Sequence, residues 1–325
     1  MLNYFFILLM AIVPLMADPY SMGRPDAHAP IGVMADHKHH KNDIMVSYRV
    51  MPMAMNTLVE GTGKTSVSDV HSNYMMSPKD MQMTMHMVGA MWGISNDITL
   101  SAMLGLSDNQ MTMVNRMNQT SDMQSNGLND LKVGAIIDVN QSKNSKTIAN
   151  IGISVPIGSI EEKNDSNTHL PYGMQLGSGT YDIMLGVTQT LQYSDYSIGA
   201  QVNGLIRTGR NKLNYRLGNK YQGTTWIQKL WTNEFSTNAR LKITGTTDIT
   251  GQDNTLTAMQ ISRSPMFNTN QGSLITDLGV GVNYIPDFLD KTRMAAEITT
   301  PILSDTNTLS LIADTTLVFG IQQSL

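Results

Sequence analysis

Segments of about ten residues in which apolar and polar side chains alternate limit the folds open to this chain more than any other feature. A two-residue period gives a strand one apolar and one polar face, and many such segments are the mark of a membrane-spanning β-barrel. Over residues 44–58 the even positions are Ile44, Val46, Tyr48, Val50, Pro52, Ala54 and Leu58, with Asn56 the exception. The odd positions are Met45, Ser47, Arg49, Met51, Met53, Met55 and Thr57. Ile98, Leu100, Ala102, Leu104 and Leu106 oppose Thr99, Ser101, Met103 and Ser107 in the same way. Leu131, Val133, Ala135, Ile137 and Val139 oppose Lys132, Gly134 and Asp138. Further strands are predicted at 81–94, 147–155, 181–191, 196–207, 220–232, 236–245, 274–284, 292–299 and 309–321, which makes twelve.

Loop lengths are a second test, because outer-membrane barrels join strands alternately by short periplasmic turns and longer outer loops. The odd-numbered connections are long, at 59–80, 108–129, 156–180, 208–219 and 246–273. Tight turns fall at "SND", "YSD" and "TNEF", while "NQSKNSK" and "PDFLDK" are intermediate and "PILSDTNT" is shorter than its class predicts. A soluble β-sandwich also alternates in side-chain polarity, but its loops need not alternate in length. An even strand number puts both termini in the periplasm. The expected fold is therefore an all-β, antiparallel transmembrane barrel of about twelve strands in the cell outer membrane, contacting lipid and lipopolysaccharide.

No segment offers the roughly 18 consecutive apolar residues of a membrane helix. Tyr4 to Met16 form a short apolar run before Ala17, which reads as a signal peptide over 1–17. A His- and Met-containing periplasmic segment is then expected over 18–43 and the barrel over 44–325. The net charge of −4 gives no reason to expect a nucleic-acid partner. With no cysteine, neither disulfides nor thiolate chemistry is available.

Methionine is the compositional anomaly, since 21 of the 26 lie in residues 1–123. In strand parity, Met51, Met53, Met55, Met85, Met87, Met91 and Met103 face the lumen. Met81 and Met83, then Met111, Met113 and Met117, extend that row toward the outer mouth. Thioethers are neutral soft ligands suited to Cu(I) or Ag(I) and unsuited to Mg²⁺ or Ca²⁺. The plainer reading is that methionine fills an irregular core. "HAPIGVMADHKHHK" adds His28, His37, His39 and His40 with Met34 and Asp36. Imidazoles with a carboxylate suit Cu(II), Ni(II) or Zn(II), and a solvated tail is the alternative. His71 and His169 are placed in outer loops facing water, and His86 on the outward face near the membrane rim.

Several apparent motifs fail. "EGTGKTS" has Leu58 where a P-loop needs its first glycine and no helix pattern after it. "GSGTYD" leads into a strand. Arg207, Arg210, Lys212, Arg216 and Lys220 cluster on an outer loop, where lipopolysaccharide contact or anion steering would use them. No nucleophile–base, paired-carboxylate or HExxH arrangement stands out, so no enzymatic activity is expected.

"LNDLKVGAIIDVN", "NIGISVPIGSIEE", "LPYGMQLGSGTYDIMLG", "GAQVNGLIRTGRNKLNYRLGNKY" and "AAEITTPIL…LVFGIQ" resemble a family of bacterial outer-membrane proteins labelled transporters, or the MetA-pathway phenol-degradation family. The part "VSYRVMPMAMNTLVEGT…MQMTMHMVGAMWGISNDITLSAML" is similar to a Met-rich subgroup linked to copper handling. The resemblance implies a barrel that transports a cargo it does not specify. Three readings follow: a methionine-lined transporter or channel for copper, as Cu(I) or Cu(II); a channel for small apolar or aromatic compounds; and a structural envelope protein.

Overall fold

The computed structural model describes residues 23–289 and 291–325, so the predicted signal peptide lies outside the described residues. Fifteen strands are present: β1 (Ile44–Gly61), β2 (Gly63–Thr65), β3 (Met76–Gly93), β4 (Ile98–Asn115), β5 (Thr120–Leu128), β6 (Leu131–Gln141), β7 (Ser145–Val155), β8 (Asp182–Gln192), β9 (Tyr196–Arg207), β10 (Tyr215–Arg216), β11 (Lys220–Leu230), β12 (Phe235–Thr246), β13 (Thr250–Gly251), β14 (Ser273–Tyr284) and β15 (Thr292–Ser324). Two short helices, α1 (Val67–Asn73) and α2 (Ala258–Arg263), lie in loops. Eleven strands pair in the order β1, β3, β4, β6, β7, β8, β9, β11, β12, β14, β15, and β15 returns to β1. β2 and β5 pair onto β1 and β4 outside this ring. β10 and β13 form a separate two-stranded sheet.

The last strand is two staves. Every neighbouring pair in the ring is antiparallel, including β14–β15 and β15–β1. A closed ring of that kind needs an even number of staves, so β15 must reverse its direction once. Its registers show where: Thr306 pairs with Ser273 of β14 and also with Gly61 of β1, and pairing runs away from it on both sides. Thr300 Oγ1 donates to the Asp314 carbonyl oxygen at 2.9 Å, tying the two legs together. Its 33 residues laid straight would extend about 110 Å, far beyond a hydrocarbon core of about 30 Å. The predicted strands at 292–299 and 309–321 are these two legs, and "PILSDTNT" is pleated almost throughout.

Turns at 94–97, 142–144, 193–195 and 231–234, and the connection that leaves β14 after Tyr284, share one end of the barrel with Ile44 and Leu325. Their residues explain them: Ser95 Oγ accepts from the Ile98 amide at 3.1 Å, and Thr232 Oγ1 from the Phe235 amide at 3.1 Å. The long connections lie at the other end. Outward side chains form the expected apolar band, with Val46, Leu100, Ile137, Ile183, Leu185, Leu241, Leu278 and Val280 all exposed. Leu58, expected in that band, instead turns inward and packs with Val70 and Leu309, and Leu311 joins them. Between Ala54 and Thr57 each strand carries one extra residue, Asn56 in β1 and Asp314 in β15, which exchanges the faces of both.

The segment before β1 is also unlike the solvated tail expected. Residues 23–40 run into the turn end of the lumen, and barrel side chains hold their backbone. Gln228 Nε2 donates to the Asp26 and His28 carbonyls at 3.0 and 2.7 Å. Arg293 Nη2 donates to the Ala29 carbonyl at 2.6 Å, and the Gly32 amide donates to Glu297 Oε2 at 2.9 Å. Gly32 is needed here, because a Cβ would lie 2.5 Å from Glu297 Oε2 and 2.6 Å from Arg240 Nη2. Apolar contacts complete the plug: Ala29 and Val33 pack on Trp226, and Ile31 on Ala295 and Val318. Its position follows from composition, since "HAPIGV" supplies small and branched apolar groups that water would not stabilise.

Candidate metal centres

Inward parity and strand register together create the methionine wall. Met45 faces Met91, Met51 faces Met85, Met53 faces Met83 and Met55 faces Met81 across the β1–β3 seam. Directly opposed residues of an antiparallel pair have Cβ atoms about 5 Å apart, so each rung brings two thioethers within reach of one ion. Successive rungs at alternate residues are about 6.8 Å apart along the strand. One rung continues around the wall, because Met81 faces Met111 of β4 and Met111 faces Met123 of β5. Met87 faces Arg49 and Met103 faces Gly89, so these two stand on the wall outside the paired rungs.

The upper end of this wall closes into a cluster. Met76, Met81, Met111, Met113, Met174 and Leu170 are buried together, with Met55, Met83, Met123, Met266 and Leu311 packed against them. Met76 joins because a register shift between Pro78 and Asp80 changes the inward parity from even to odd. Met174 and Met266 arrive from the connections 156–181 and 252–272, which carry no periodicity that places them. Met45 continues the parity rule and was legible in sequence, whereas Met123, in a stretch expected to be loop, and Met174 and Met266 were not. Met117, expected to extend the row, lies in the turn after β4 and is 74% exposed. Lower on the wall, Met51 packs against the cluster of Ile31, Ala295 and Val318, and Arg49 Nη1 donates to Met34 Sδ at 2.6 Å.

The cluster lies where the barrel outgrows the apolar band. β1, β3 and β4 are each 18 residues long, against 11 for β7 and β8. The difference adds roughly 20 Å of wall at the long-loop end. There the outward residues turn polar, as Thr84, Gln82, Asp108 and Gln110 replace the apolar series below. Beside the transition, the Tyr48 hydroxyl and His86 Nδ1 are 2.6 Å apart on the outer surface.

The long loops cap this mouth with a second core of Ile160, Tyr172, Leu213, Tyr215 and Ile249. His169 is buried there, in contrast to its expected contact with water, and its Nδ1 lies 2.7 Å from Asp253 Oδ2. His71 Nε2 lies 3.1 Å from the Val114 carbonyl oxygen. The basic cluster is partly neutralised, since Arg207 pairs with Asp182 and Lys212 with Glu161.

The second centre is inside the plug. His28, His37 and His39 converge, with ring centroids 4.7 Å apart for the first pair and 5.1 Å for the second. His28 Nδ1, His37 Nε2 and His39 Nε2 are buried and without a hydrogen-bond partner. Each unsatisfied group costs about 1–3 kcal/mol, so three in one place require an explanation. Burial, with the charges of Arg293 and His37 nearby, pushes the His28 imidazole well below its ordinary value. Burial and the neighbouring His37 push His39 down to about 4. Burial alone would raise the Asp36 carboxyl, but the charge and hydrogen bond of His37 outweigh it and leave Asp36 well below the usual carboxylate range. His40, expected with this group, is exposed and lies four residues before β1, where its backbone lies against Gly93.

No known protein family matches the chain, and no curated protein matches it in sequence. Among solved structures, the COG4313 outer membrane channel from Pseudomonas putida F1 is similar, with a TM-score of 0.64 and 10% identity over 90% of this chain and 98% of that one. The KdgM porin aligns with a TM-score of 0.41 and 10% identity over 86% of this chain and 99% of that one. The translocator domain of the autotransporter NalP from Neisseria meningitidis aligns with a TM-score of 0.43 and 9% identity, over 88% and 89%. The likeness to the first of these establishes the shared fold, and with the apolar band it makes this chain an outer-membrane β-barrel.

Proposed function

We propose that the protein is a non-enzymatic outer-membrane conduit that takes up a soft monovalent metal ion, Cu(I), through the methionine cluster at its long-loop mouth. One observation carries this reading: nine of the eleven residues in that cluster are methionine, drawn from four strands and two loops. Filling a core gives no reason to prefer Met over Leu so consistently, since Leu packs with better-defined rotamers. A cargo ion moving between two-sulfur rungs needs each site to bind it and release it, and neutral thioethers hold Cu(I) without adding charge to the lumen. The similar structures include an outer membrane channel, which agrees with a transport role. The second reading, a channel for small apolar or aromatic compounds, rests on the resemblance to the phenol-degradation family.

The test separates these cargoes. Met55→Leu, Met81→Leu and Met111→Leu remove three of the four sulfurs of one row while keeping volume, at a packing cost below about 1.5 kcal/mol per swap. The triple variant should lose most Cu(I) binding in detergent and keep the heat-resistant gel mobility of a folded barrel. A variant that binds Cu(I) and confers copper tolerance as the parent does would transfer the function to the apolar-compound channel.

A further inference from the structure

We propose that His28, His37 and His39 form a three-imidazole site for a borderline divalent cation, Zn(II) or Cu(II), inside the lumen and separate from the methionine wall. The donors are the three unpartnered nitrogens, His28 Nδ1, His37 Nε2 and His39 Nε2. One ligand atom each from His28, Asp36 and His37 lies within 4.8 Å of the others, and His39 adjoins this group through its ring contact with His37, so a bound ion would draw His39 in or take Asp36 as its third ligand. His37 is 2% exposed, and its Nδ1 donates to Asp36 Oδ1 at 2.9 Å. The other carboxylate oxygen, Oδ2, accepts from the Ala29 amide at 3.0 Å, so the acid is itself fixed in place. A carboxylate on one imidazole nitrogen sets the tautomer and directs the lone pair of the other nitrogen outward, as in metal sites.

The backbone brings these residues together at a local cost. Ala35 adopts φ 54, a left-handed conformation uncommon for a residue with a Cβ, and it reverses the chain between Met34 and Asp36. Residues 36 to 39 thereby return toward His28. Imidazole nitrogen favours Zn(II), Cu(II) or Ni(II) over hard ions, and no sulfur belongs to this donor set. Three protein ligands leave one position open, the arrangement of exchangeable sites. The opposing explanation is that lumen water satisfies the three nitrogens.

The detergent-folded full-length protein would be titrated with Zn(II) by calorimetry and with Cu(II) by electron paramagnetic resonance. A single site per chain is expected, with hyperfine coupling to at least two imidazole nitrogens. His28→Gln and His37→Gln should each weaken Zn(II) binding at least tenfold, and Asp36→Asn by about 10- to 100-fold through loss of orientation. His40→Gln should bind as the parent does, as should the triple methionine-to-leucine variant, so failure of the Cu(I) reading leaves this result untouched. The parent spectrum decides the question even if a plug variant fails to fold. No Zn(II) binding by the parent, or a Cu(II) spectrum without imidazole nitrogen, would overturn the proposal in favour of water.

Discussion

A side chain's consequence in this barrel is set by which face of its strand it occupies. At Leu100, 40% exposed in the lipid band, a charge has no partner. Leu100→Arg should destabilise the folded barrel by roughly 2–4 kcal/mol if it lies near the bilayer midplane, measured by urea titration in lipid vesicles. The same substitution on the inward face one position away, at Ser101, would meet a polar lumen and cost far less. Met55, Met81 and Met111 are inward in this sense, yet Leu311 is inward too despite its parity, because bulges separate it from the regular part of the strand. Leu311→Arg should therefore disrupt the methionine cluster and lower Cu(I) binding, in contrast to Leu100→Arg, which should affect stability alone.

Strands and loops divide the work between membrane and mouth. Strands of 11 or 12 residues such as β8 and β12 suffice to cross, while the 18 residues of β1, β3 and β4 raise one side of the wall beyond it. The connections 156–181 and 247–272 cover that raised mouth, and the His169–Asp253 contact fastens one to the other. A hydrogen bond to a charged group contributes about 1.5–3 kcal/mol. His169→Ala should loosen the cap without unfolding the barrel, so limited trypsin digestion should cut sooner at Lys163, while the heat-resistant gel mobility stays unchanged.

Among the described residues the eleven ring strands close into a cylinder, filled at the turn end by the amino-terminal segment and capped at the other by the loops. The plug is held by at least four barrel side chains, Gln228, Arg293, Glu297 and Gln201, and its removal leaves those polar groups facing water in the lumen. Deletion of residues 23–40 should raise single-channel conductance in planar bilayers severalfold over the parent. Unchanged conductance would assign closure to the loop cap alone.

How much was legible in the sequence depends on the range of the interaction involved. Alternation is a property of consecutive residues, so the strands, the apolar band and the inward set Met51, Met53, Met55, Met81, Met83 and Met85 could be read from Ile44 to Leu106 directly. The alternating loop lengths likewise gave the sidedness of the connections. Register, bulges and the packing of aperiodic segments are long-range outcomes. That Met55, Met81, Met111 and Met123 share one row required the pairing of four strands, and that Met174 and Met266 join them required the loops to fold inward. The histidines show the same division. Their density in "HAPIGVMADHKHHK" was visible, but only the polar interior of the closed barrel buries that segment, gathers His28 with His37 and His39, and leaves His40 outside.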